Sequence, residues 1–153
     1  MIWIIILLSI AYNTYVIWKY KRIPESLSET SYMLGKDKWL FVGYCVITGG
    51  LMLPLLLDIT PEKFQCLPFF ICGGLIMAGS SPLYRNGMDK YVHYVSAMFA
   101  FISFLVYLGI FNLVALLAVI FCLLAYYLVC KKTIVYYAEL VALIWLTTII
   151  IAY

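Results

Sequence analysis

Apolar residues fall into six long runs, at about residues 2–18, 39–57, 67–84, 91–110, 112–130 and 133–152, with short polar connections between them. Each run approaches the roughly 20 residues that a helix needs to cross a hydrocarbon core about 30 Å thick. The pattern predicts an all-α fold, a polytopic transmembrane helical bundle of six spans forming a single transmembrane domain over residues 1–153. Little more than Gly109 and Asn112 separates the fourth and fifth runs, which predicts a tight antiparallel hairpin. The alternative is one bent pass, giving five spans.

The connection over 19–38, KYKRIPESLSETSYMLGKDK, is the one stretch long enough for an architecture of its own. Pro24 suits a helix start, Ser26 and Ser28 can cap backbone N–H groups, and Gly35 suits a helix end. A short interfacial helix in this cytoplasmic loop is predicted, acting either as a docking or gating element or as a linker that anchors two spans. Pro54 and Pro82 fall late in their runs and Pro68 at the start of one, while Thr60 is placed to cap a helix begun by Pro61.

Composition supports the membrane reading. Of 153 residues, 67% are apolar and 11% charged, and the mean hydropathy is +1.07; soluble domains have roughly 45–50% and 25%. A soluble fold could not hide that much apolar surface. Six spans of about 20 residues leave about 30 for connections, too few for a separate soluble domain. Trp3, Trp18, Tyr20, Trp39, Tyr84, Tyr91 and Tyr153 stand near run ends, as in the aromatic belts of bilayer proteins.

Charge decides the orientation, because cytoplasmic loops retain Lys and Arg. Lys19, Lys21, Arg22, Lys36 and Lys38 lie in the first connection, Arg85 and Lys90 in the third, Lys131 and Lys132 in the fifth, and only Lys63 in an even one. Nine of the ten basic residues therefore share one side if all six runs cross. Merging the fourth and fifth runs would misplace Lys131 and Lys132. The prediction is six spans with the N- and C-termini on the non-cytoplasmic side. The first run has no preceding positive charge and no A-x-A-like site at its end, so it reads as a retained helix rather than a cleaved signal. The net charge of +3 sits at run ends, where it anchors helices to lipid headgroups, and does not point to nucleic acid.

Cys45, Cys66, Cys72, Cys122 and Cys130 form no CxxC pair and no metal-type spacing with the single histidine, so they read as small packing residues. No cofactor or metal is implied. Gly49 and Gly50 in the second run and Gly73, Gly74, Ala78 and Gly79 in the third mark a close helix crossing, since packing drives association in lipid. His93, Ser96, Ala97, Ala100, Ser103 and Tyr107 form a second stripe predicted to face the interior, and Ala138 and Ala142 flank Glu139.

Ionisable groups inside spans are costly and face partners or water. Glu139, roughly 9 Å deep at 1.5 Å per residue, and His93, near the inner boundary, are the two such groups, and their side chains could meet. Asn13, Ser80, Ser81, Tyr94, Ser96 and Tyr136 also fall in the inner half. This predicts a cytoplasm-facing polar cavity in which Glu139 and His93 bind a cation or lipid headgroup or relay protons; a buried structural hydrogen bond is the alternative.

Enzyme chemistry finds little support. Gly79, Ser80, Ser81 and Pro82 only approximate the GxSG pattern of rhomboid-like proteases, with Pro in the last place. One histidine cannot build a zinc hydrolase site, and no GxxxxGK[ST] loop is present. Through IPESLSETSYMLG, DITPE and KYVHYVSAMFA the chain resembles small multi-pass membrane proteins of Bacteroidetes-type bacteria and their phages. That resemblance implies a bacterial-type inner membrane and no catalytic residue. Two classes of function remain. One is a non-enzymatic membrane component acting by assembly with itself or a membrane-protein partner, in contact with the lipid bilayer. The other is a small transporter, channel or proton-coupled element built around Glu139 and His93. A buried, water-accessible cavity around Glu139 would favour the second, and a dry, packed interior with an exposed small-residue face the first.

Overall fold

The computed structural model describes residues 1–81, 87–129 and 132–152. Pro82, Tyr84, Arg85, Cys130, Lys131 and Tyr153 lie outside the described residues. All regular structure in the described residues is helical: α1 (Ile2–Tyr20), α2 (Glu29–Leu34), α3 (Trp39–Ile59), α4 (Cys66–Ser80), α5 (Gly87–Phe111), α6 (Leu113–Val129) and α7 (Ile134–Ala152). Each apolar run holds one helix of 15 residues or more, although α4 ends at Ser80, and residues 82–84 of the third run and 130 of the fifth lie outside the described residues. Four of these helices, α1, α3, α5 and α7, are long and apolar enough to cross a membrane. With 15 and 17 residues, α4 and α6 span only about 22 and 26 Å at 1.5 Å per residue.

Side-chain contacts at the two ends set the helix directions. At one end Thr60 Oγ1 bonds to Tyr107 Oη at 3.1 Å and Phe64 meets Phe111 edge to face. At the other, Tyr136 Oη donates to Asn13 Oδ1 at 2.8 Å, the Tyr136 N–H donates to Glu25 O, and Tyr126 stacks on Tyr137 at 4.4 Å. Since Phe111 and Tyr126 belong to opposite ends, the chain reverses between α5 and α6. Asn112 makes that reversal: its Oδ1 accepts from the Ala115 N–H at 2.9 Å, capping the first turn of α6.

Packing is closest where glycine removes the side chain. A Cβ on Gly74 would lie 2.6 Å from Ser96 O and 2.8 Å from the Ala100 Cβ, and one on Gly79 would lie 2.3 Å from the Cys45 Cβ. A Cβ on Gly49 would lie 3.0 Å from Cys72 O. These contacts hold α4 between α3 and α5. Gly50 and Gly73 differ from the expected pattern, since a Cβ on either meets nothing within 4 Å. Adjacent helical residues point about 100° apart, so only one glycine of each pair can face a given neighbour.

The connection after α1 also differs in detail from its prediction. Its helix starts at Glu29, not Pro24, and ends on Gly35, whose φ of +57° suits glycine. Ser26 Oγ accepts from the Glu29 N–H at 3.0 Å, whereas Ser28 holds the cap position without a side-chain bond. Thr60 does not cap forward either: its hydroxyl donates back to Leu56 O, and α4 begins only at Cys66.

Candidate functional site

Between α3, α4, α5 and α7 lies a cavity of about 130 Å³. Its wall is apolar apart from a few groups, and Glu139 is its one formally charged side chain among the described residues. Phe41, Tyr44 and Cys45 of α3 face it, with Cys72 of α4, Ala100 of α5 and Ala142 of α7. The small residues matter here, because Ala78, Ala97, Ala100 and Ala142 leave room that larger side chains would fill.

Leu27 and Ser28 of the 19–38 connection also line it. The Leu27 N–H donates to Glu139 Oε2 at 2.6 Å, so a backbone donor of the loop is held by a carboxylate of the bundle. Further bonds shape the loop into a cap. Arg22 Nη2 reaches Glu29 Oε1 at 2.8 Å, and the Glu25 N–H donates to Glu29 Oε2. Tyr12 Oη bonds to the Thr30 hydroxyl, which also donates to Leu27 O. Pro24, Glu29, Thr30 and Ser31 are all buried. A polar loop can be buried this way because its backbone and side-chain groups find partners.

Most of the residues expected in the inner half divide into two groups. Asn13 and Tyr136 are brought together, and Asn13 Nδ2 donates on to Ser9 O at 2.8 Å. Tyr44 Oη donates to Ser9 Oγ at 3.4 Å, extending the chain from α7 through α1 to α3. Tyr44 and Cys45 line the cavity together with Glu139, and Tyr136 lies three residues before Glu139 on α7. His93, Ser81 and Ser96 belong instead to the α4–α5 contact, and Ser80 to neither group. His93 Nδ1 lies 2.9 Å from Ala78 O; a carbonyl only accepts, so Nδ1 carries the proton. A backbone group of Ser81 bonds the same ring. His93 thus ties α5 to the C-terminal end of α4, at a carbonyl that also accepts from the Ser81 N–H at 3.3 Å. Ser80 is exposed and bonds to Ile76 O, Ser96 is buried against Gly74, and Tyr94 is exposed. Glu139 borders the cavity and His93 is not part of its lining.

Leu27, Arg22, Glu29, Thr30 and Tyr12 were not singled out from the sequence. One signal existed: Ser26 and Glu29 have the S-x-x-E spacing of a capping box. The structure uses half of it, through Ser26 Oγ, while Glu29 turns to Arg22 and Glu25. Thr48, on the α3 face between Cys45 and Met52, is fully buried and its hydroxyl has no partner among the described residues.

Comparison with protein families, curated proteins and solved structures finds no match.

Proposed function

We propose that this chain is a six-pass protein of a bacterial-type inner membrane, with both termini on the non-cytoplasmic side, acting as a small-molecule binding and transport element. Its cavity opens toward the cytoplasm and is closed there by the 19–38 loop. The observation that carries this reading is the bond from the loop's Leu27 N–H to Glu139, at the rim of an otherwise apolar cavity.

Surface character supports the membrane placement. Leu7, Ile10, Phe69, Phe99, Phe121 and Ile144 are all exposed, far more apolar surface than soluble monomers leave uncovered. Trp18 and Trp39 flank the loop, with Lys21 and Lys38 over their rings at 5.6 and 5.9 Å, an arrangement suited to a headgroup belt. Six passes fit the reversal at Asn112 between α5 and α6, and on this reading α2 lies at the inner interface. The shorter α4 and α6 are accommodated by local thinning of the bilayer or by flanking residues that reach to the interface. Cysteines at Ser26 and Lys63 are expected to react with impermeant reagent from opposite sides; labelling from the same side overturns the topology.

Access to the cavity tests the function. Cys45 lines it and is 2% exposed, so its modification reports opening, and a thiol must meet water to react as thiolate. In a variant whose other cysteines are replaced by Ala, a small methanethiosulfonate is expected to modify Cys45 from the cytoplasmic side. Complete protection under native conditions would identify a permanently closed void. A second reading, assembly with another copy or a membrane-protein partner, is favoured by an open apolar groove between α1 and α3 where Ala11 and Gly43 leave space.

A further inference from the structure

We infer that the cavity takes a compact organic ammonium ion, with its charge against Glu139 and its apolar body between α3, α5 and α7. This rests on the reading of the cavity as a ligand site and names the ligand class. The wall chemistry carries it. Among the described residues no Lys, Arg or His lines the space, so an anion would enter without a counter-charge. A neutral hydrocarbon would offer Glu139 Oε1 no hydrogen-bond donor, and the carboxyl would have to take up a proton to sit against apolar atoms. Ca²⁺ and Mg²⁺ take about six oxygen ligands or more and Zn²⁺ about four N, S or O ligands, whereas among the described residues no three His, Cys, Asp or Glu side chains converge.

An organic cation fits both parts of the site. Glu139 Oε2 is bonded to the Leu27 N–H, and this is the one hydrogen bond that the described residues make to the carboxylate, which leaves Oε1 for an ammonium N–H. Phe41, Tyr44, Phe101 and Phe104 contribute rings to the wall, and aromatic faces attract cations. Size bounds the ligand. An apolar cavity of about 150 Å³ takes benzene, so 130 Å³ admits a body of about six heavy atoms. A phospholipid headgroup is disfavoured because its phosphate would enter with no cation to meet it.

The test uses the full chain in phosphatidylcholine nanodiscs, with empty nanodiscs subtracted, and three probes of similar shape: cyclopentylammonium, cyclopentanol and cyclopentanecarboxylate. Saturable binding of the ammonium is expected, at least about tenfold tighter than the alcohol, with no carboxylate binding. Glu139→Gln, which keeps an acceptor for Leu27, is expected to weaken the ammonium about thirtyfold and leave the alcohol unchanged. Ala142→Leu, which fills the space, is expected to remove both. Equal affinity for ammonium and alcohol, or an unchanged ammonium affinity in Glu139→Gln, overturns the ligand class while leaving the cavity a ligand site. Failure of all three probes to bind the wild type overturns the ligand-site reading itself. Monodispersity and helical circular dichroism establish that each variant is folded, and Glu139→Gln decides the class even if Ala142→Leu does not fold.

Discussion

Replacing Gly74 with Ala is expected to destabilise the bundle by about 1–3 kcal/mol, the range for overpacking a close contact, whereas Gly73→Ala is expected to be neutral or mildly stabilising. The two residues are adjacent and chemically identical, so the difference isolates geometry. At Gly74 the added methyl would lie 2.6 Å from Ser96 O and 2.8 Å from the Ala100 Cβ. Neither atom belongs to a flexible side-chain tip, so α4 and α5 must separate. In lipid that separation is not offset by hydrophobic exclusion, because lipid tails are as apolar as the protein face, and packing is what holds such helices together. At Gly73 the methyl meets nothing within 4 Å, and Ala is the better helix former by roughly 0.5–1 kcal/mol. Reversible unfolding in mixed micelles, followed by circular dichroism, measures both. A Gly74→Ala variant as stable as wild type would mean that the α4–α5 crossing is looser than its backbone geometry indicates.

The same contrast marks how far the sequence could be read. Six apolar runs were legible because length and composition alone separate them from their connections, and α1, α3, α5 and α7 meet the length requirement without help. Which glycine of a pair makes a contact was not legible. That depends on helix rotation about its axis, and helices apolar all round carry no stripe to fix it. Gly50 illustrates the point: it lies four residues before Pro54, which lacks the N–H that would bond to Gly50 O, so its place in α3 relates to the proline rather than to a neighbouring helix.

For the site, Glu139 could be picked out because it is the one acidic residue within an apolar run. Its partner could not, because the donor is a backbone N–H of Leu27, 112 residues away, and a backbone group has no sequence signature. The expected neighbour, His93, was inferred from depth, which places two residues at one level but not on facing sides. His93 instead bonds to the end of α4.

Glu139→Ala is accordingly expected to loosen the loop without unfolding the bundle. Removing the carboxylate leaves the Leu27 N–H without its acceptor, a loss of about 1–3 kcal/mol for a buried donor. At about 1.4 kcal/mol per factor of ten, the open population rises roughly five- to 150-fold. Cys45 modification should accelerate by a similar factor, and amide exchange over residues 25–34 should rise with it. Global stability moves differently. Removing a carboxyl from an apolar interior relieves its desolvation, which offsets part of the lost hydrogen bond. Arg22 to Glu29 and Tyr12 to Thr30 still hold the outer part of the loop, so the cap hinges and does not detach. Glu139→Gln retains an acceptor at the same place and is expected to keep the Cys45 rate near wild type. The two substitutions thus separate the hydrogen bond from the charge: if Glu139→Ala left both exchange and modification unchanged, the loop would be held by its own network and Glu139 would have no part in closing the cavity.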